Sequence, residues 1–139
     1  MPTYSDIELA FEYVSGAPYG TNRVIYDKDA DRFLYESEMS GESEIPDDIR
    51  WETCVEVPHK HDLNLGQYLV FRFILQTIPD QEDAVRKIFK RPGAYGRFKD
   101  FLEKRQLLQQ WFDYEASARR NAIEQWCREN GIEMGQQGP

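Results

Sequence analysis

A chain of 139 residues is the length of one domain with its own core. Apolar residues make up 40% and aromatics 14%, which excludes a disordered chain, while 30% charged residues imply a hydrated surface. A net charge of -8 weighs against non-specific binding to nucleic acid or anionic lipid, and no apolar run approaches the roughly 18 residues of a membrane span.

The first element is a predicted helix. Ser5 and Glu8 have capping-box spacing, Tyr4 and Leu9 stand where a hydrophobic staple would, and Ile7, Ala10, Phe11 and Val14 form one apolar stripe. Gly16 is the expected left-handed C′ residue, with Pro18 preventing continuation. Arg23–Tyr26 and Arg32–Tyr35 are short runs rich in β-branched and aromatic residues. The polar stretch Asp27–Asp31 between them has turn composition, so a hairpin is expected. The acidic, Ser/Gly-rich stretch Glu36–Asp48 reads as a mobile loop. Alternation from Trp51 to Val57 predicts a third strand, closed by Pro58.

The second half reads as helical. Leu63–Ile78 is a mostly apolar helix that ends before Pro79. Asp80 is the expected cap of the next, whose stripe is Ala84, Val85, Ile88 and Phe89, and Pro92-Gly93 breaks it. Ala94–Lys104 is expected to bury Tyr95, Phe98, Phe101 and Leu102. A long helix over about Leu107–Asn130 follows, with Leu108, Trp111, Phe112, Ala118, Ala122, Ile123 and Trp126 near a 3.6-residue period and Gly131 at C′. The expected fold class is α+β, with an N-terminal helix, a small antiparallel three-stranded sheet and then about four helices. One domain is expected over 1–134, with a disordered tail at 135–139. The opening Met1–Asp6 has neither a basic region nor an apolar signal core, which places the expected protein in the cytoplasm. Cys54 and Cys127, a lone pair 73 positions apart, are weak grounds for a disulfide.

Charge is unevenly spread. Residues 1–66 carry 15 acidic and 5 basic side chains, a net of -10, while residues 67–139 carry 10 acidic and 12 basic, a net of +2. Between 86 and 105, Arg86, Lys87, Lys90, Arg91, Arg97, Lys99, Lys104 and Arg105 face only Asp100 and Glu103. Lys90, Arg91, Arg97 and Lys99, interleaved with Tyr95, are the candidate binding residues. They suit a protein-docking face or, as an alternative, a nucleic-acid surface. The ordinary reading is a solvated helix face whose aromatics lie inside.

Other chemistry is sparse. Asp27, Asp29 and Asp31 with Glu38 have the first, third, fifth and twelfth positions of a calcium loop, but Arg32 stands where that loop needs Gly and the flanks read as strands. An Asp-rich hairpin turn explains the same residues. His59 and His61 with Cys54 match no zinc spacing, and two solvated histidines are the simpler expectation. The chain contains no nucleophile elbow, phosphate loop or dinucleotide fingerprint. No catalytic, metal or cofactor residue is assigned. The 25 acidic residues permit a carboxylate pair without singling one out, so a small carboxylate-based enzyme is the second alternative.

Several strings stand out as a set. They are Asp6-Ile7-Glu8-Leu9-Ala10-Phe11-Glu12, the hairpin Tyr26–Phe33, Val55-Glu56-Val57-Pro58, Gly93-Ala94-Tyr95-Gly96-Arg97-Phe98-Lys99-Asp100, Trp111-Phe112-Asp113-Tyr114, and Glu124–Ile132. In this order they resemble uncharacterised protein family 0158, a group of small bacterial proteins, over about residues 6–134. The resemblance implies a single bacterial domain and brings no established activity. The expected function is therefore that of a non-enzymatic cytoplasmic protein that binds an unidentified protein partner, with a homodimer as one form of partnership and no membrane association.

Overall fold

The computed structural model describes residues 1–135. It has the expected α+β order: helix α1 (Tyr4–Ser15), strands β1 (Asn22–Asp27), β2 (Arg32–Ser37) and β3 (Cys54–Glu56), then helices α2 (Gln67–Thr77), α3 (Glu82–Ile88), α4 (Ala94–Glu103) and α5 (Leu108–Glu129). The described chain falls into two compact units, residues 1–63 with 121–135 and residues 64–120. No helix among the described residues is long and apolar enough to cross a membrane.

In the first unit an antiparallel sheet of order β2-β1-β3 has β1 at its centre. Ile25 pairs with Leu34 on one side and Glu56 on the other. Val24, Ile25 and Tyr26 are buried in succession, and because successive side chains point to opposite faces, both faces of β1 are covered. α1 packs on β1 and buries the expected stripe Ile7, Ala10, Phe11 and Val14. Its cap differs from expectation. Thr3 accepts from the Asp6 amide at 3.2 Å while the Asp6 carboxylate accepts from the Thr3 amide at 3.0 Å, a box two residues ahead of Ser5 and Glu8. Glu8 instead accepts from the Tyr4 hydroxyl at 3.0 Å, and Leu9 is exposed. Gly16 is right-handed, with φ -77°, and the first glycine after α1 to be left-handed is Gly20, at φ 84°.

The third strand is shorter than the alternation predicts. Trp51–Thr53 is a 3₁₀ turn, and Trp51 is 53% exposed. β1 ends at Asp27 opposite Cys54, so residues before Cys54 have no strand to pair with. The acidic loop is pinned to the outer edge of β2. The Ser37 amide donates to Glu42 O, the Glu44 amide to Tyr35 O, and the Tyr35 amide to the Glu44 carboxylate. This covers an edge that would otherwise offer unpaired backbone. At the other end of the chain Gly135 bridges Thr3, and its amide donates to Pro2 O at 2.7 Å. The rest of the expected tail, 136–139, lies outside the described residues.

The second unit is helical. Its core combines Leu69, Val70, Phe73 and Ile74 of α2, Val85 of α3, Phe98 and Leu102 of α4, and Trp111 of α5. Phe73 and Phe98 each meet Trp111 edge to face with centroids 5.3 Å apart. α2 starts later than the apolar run because Asn64 is left-handed, at φ 57°, behind a 3₁₀ turn over Lys60–Leu63. Asp80 lies in another 3₁₀ turn, and α3 starts at Glu82 without a side-chain cap. Of the expected α3 stripe only Val85 is fully buried.

Candidate basic-aromatic face

The four candidate cations lie where α3 turns into α4. The α3 C-terminus leaves carbonyls without helical partners. Gly93 then reverses the chain at φ 76°, a conformation that a side chain would strain. Arg97, one turn into α4, folds its guanidinium back over this break. Nη1 donates to Pro92 O at 2.6 Å, and Nη2 to Ile88 O at 3.1 Å and Arg91 O at 2.8 Å. Arg97 is thus a side-chain cap for α3, its fork suited to several carbonyls at once.

The structure separates Arg97 from the other three. Lys90 and Arg91 are exposed at the turn, and Lys99 is exposed with its ammonium 6.0 Å from the Phe112 ring centroid. Tyr95, one turn before Lys99, is 38% exposed and otherwise covered, a partial departure from the expectation that the aromatics of this segment lie inside. Phe112 is 39% exposed. Phe98 and Leu102 take the buried side of α4; Tyr95 lies on the same stripe, three and seven residues earlier, but stands in the first turn at the end of the helix, where its ring meets Phe89 edge to face at 5.1 Å. Burial, and secondarily the Glu115 carboxylate, raises the pKa of the Tyr95 phenol. Arg86 pairs with Glu82, and Arg105 lies 3.6 Å over the Phe101 ring. Lys87, Lys90, Arg91, Lys99 and Lys104 have no ion pair among the described residues. The result is a cationic surface with two exposed aromatic rings.

The first unit holds the other candidates. Asp27 accepts from the Asp29 and Ala30 amides and from the Thr53 hydroxyl, so it organises the hairpin turn and ties it to β3. Asp31 accepts from the Tyr26 hydroxyl and pairs with the Met1 amine at 2.7 Å. The amine and Tyr26 both lower its pKa. No group of three or more His, Cys, Asp or Glu side chains converges on a metal position among the described residues.

His59 is not solvated as expected. It is 5% exposed, accepts the His61 amide at Nδ1 at 3.2 Å, and faces Ala17 O from Nε2 at 3.0 Å. An amide can only donate, so Nδ1 is the acceptor and Nε2 carries the proton donated to Ala17. Both ring nitrogens are therefore committed to backbone. The Asp62 carboxylate joins them, accepting from the His59 amide and the Tyr19 hydroxyl. That hydrogen bond, ahead of burial and the charges of Asp62 and Glu56, raises the Tyr19 pKa.

A cavity of about 460 Å³ lies beside this cluster, with Tyr19, Arg23, Glu56 and Asp62 on its wall. Glu56 is held by Arg23 at 3.0 Å. Both cysteines are free thiols. Burial pushes Cys127 up to about 11, which keeps it a neutral, poorly nucleophilic thiol at neutral pH.

Sequence reasoning missed two structural roles. For Arg97 a signal existed: a Pro-Gly break followed within five residues by an arginine able to reach back to the carbonyls. For His59 none did, because its acceptor Ala17 is 42 residues away. The chain matches no family model, and no curated protein and no solved structure matches it.

Proposed function

We propose that this chain is a non-enzymatic cytoplasmic protein that binds an acidic segment of a protein partner through the exposed face of α3 and α4. The observation that carries this reading is that Lys90, Arg91 and Lys99 are exposed and without carboxylate partners on the segment that carries the partly exposed Tyr95, with Lys99 6.0 Å from the ring of Phe112. Cations around apolar anchors suit a docking surface: the rings supply contact area and the charges orient an acidic partner. Arg97 belongs to the scaffold of that face. The resemblance to uncharacterised protein family 0158 fits a small bacterial protein and adds no activity of its own.

A fluorescent polyglutamate peptide and a single-stranded DNA oligonucleotide, titrated against the whole protein, test the proposal. The peptide is expected to bind the wild type and to lose at least tenfold in affinity against K90E/R91E/K99E, with the variant's circular dichroism unchanged. DNA binding without peptide binding would move the nucleic-acid alternative to first place; neither signal would refute the docking face. The enzyme alternative rests on one observation, the cavity that holds Glu56 and Asp62 on its wall. Unchanged substrate turnover in E56Q/D62N, for any activity later measured, would remove it.

A further inference from the structure

The two units leave opposite charges over. In the first, residues 36–48 contain six carboxylates and no cation. Glu36 is taken by Arg23 and Ser43, and Glu44 by the Tyr35 amide. Glu38, Glu42, Asp47 and Asp48 have no ion pair among the described residues. At the loop's tip Met39 is 84% exposed between Glu38 and Glu42. The tip is an ordered turn. The Gly41 amide donates to Ser37 O at 3.0 Å, Gly41 takes the left-handed φ of 73°, and the Ser37 amide donates to Glu42 O at 2.9 Å.

The second unit offers the complement. Lys90 and Arg91 are exposed at the turn before α4, and on α4 the exposed Lys99 stands one helical turn after the partly exposed Tyr95, with its ammonium 6.0 Å from the ring of Phe112. An apolar thioether between two carboxylates matches aromatic rings between cations in both charge and polarity.

We propose that the tip Glu38–Glu42 of one copy docks on the α3–α4 face of a second copy of this chain. Met39 then packs on Phe112 and Tyr95, while Glu38 and Glu42 meet Lys99 and the Lys90–Arg91 pair. The inference rests on the docking face proposed above and names its partner. Both surfaces are held by internal hydrogen bonds, so little ordering is needed on contact. The two patches differ, so the contact is heterologous and repeats along a chain of molecules unless a two-fold axis closes it. A five-residue tip is small beside the roughly 800 Å² per partner of a stable interface, and the association is correspondingly weak and sensitive to salt.

Sedimentation equilibrium of the whole protein tests this at rising concentration in 50 and 500 mM NaCl. The expected result is a mass that climbs above 16.4 kDa in low salt and returns to it in high salt. E38K/E42K and K90E/K99E are each expected to stay at the single-chain mass, with unchanged far-ultraviolet circular dichroism. In a mixture the native acidic tip of K90E/K99E meets the native basic face of E38K/E42K, and the reversed tip meets the reversed face, so association should return in the mixture alone. A wild type that remains single-chain in low salt overturns the inference. So does association that survives either variant, or a mixture that fails to associate. The docking face is scored separately: a single-chain protein that still binds polyglutamate through Lys90, Arg91 and Lys99 refutes only the choice of partner, and one that binds nothing refutes both.

Discussion

The sheet unit and the helical unit hold themselves together by different means. In the helical unit the core is made of apolar side chains, with the rings of Phe73 and Phe98 packed on Trp111 and arginines folded over its ends and edges. In the sheet unit polar side chains bond to backbone across the loops: Asn22 donates to Tyr13 O, the Ser15 hydroxyl accepts from the Lys60 amide, and His59 donates to Ala17 O. The difference shows why charge alone does not identify a binding residue. Asp27, Asp62 and Arg97 are charged groups that the fold consumes. The groups left over, acidic in one unit and basic in the other, are the ones open to partners.

The largest test of the comparison is aimed at the ring cluster. Trp111→Ala removes a fully buried side chain in contact with Phe73, Phe98 and Tyr114. A loss of roughly 3–5 kcal/mol is expected from the lost burial and the cavity left behind. Urea unfolding followed by circular dichroism measures it. A loss below about 1 kcal/mol would mean that the helical unit does not depend on its rings.

In the sheet unit the corresponding test is polar. His59→Leu keeps much of the volume but leaves Ala17 O and the His61 amide without their partner. Each unsatisfied buried group costs about 1–3 kcal/mol, less where water enters. A urea midpoint equal to wild type would show that the imidazole's bonds are dispensable and that its burial is incidental.

What the sequence made legible divides along the same line. The α1 stripe, the hairpin around Asp27–Asp31, the Pro92-Gly93 break and the C′ Gly131, left-handed at φ 67°, follow from local spacing and turn chemistry. The α1 cap was ambiguous because Thr3-x-x-Asp6 and Ser5-x-x-Glu8 obey one rule two residues apart, and only the entry of the backbone decides between them. The length of β3 depended on where β1 ends, and the role of His59 on a loop 42 residues earlier. At the candidate site the segment was legible while the split within it was not. Four cations of one string look alike until the turn geometry sends Arg97 inward to three carbonyls.

That split carries the smallest predicted effect and the one on which every charge-reversal experiment depends. Arg97→Ala strips three hydrogen bonds from carbonyls at the end of α3 and just after it, two of which lie in the exposed turn where water replaces part of them. The expected loss is about 1–2 kcal/mol, in the range of other helix-end caps. Arg97→Lys should recover little of it, because a single ammonium cannot span carbonyls that the fork reaches from two nitrogens. Lys99→Ala removes only an exposed stack 6.0 Å from Phe112, and its stability should stay within about 0.5 kcal/mol of wild type. Thermal unfolding of the three variants side by side checks the order. If Arg97→Ala is as stable as Lys99→Ala, the guanidinium is not a cap, and Arg97 returns to the docking face as a fourth cation. If the order holds, a variant that includes Arg97 reports on folding as well as binding, and the surface must be probed through Lys90, Arg91 and Lys99 alone.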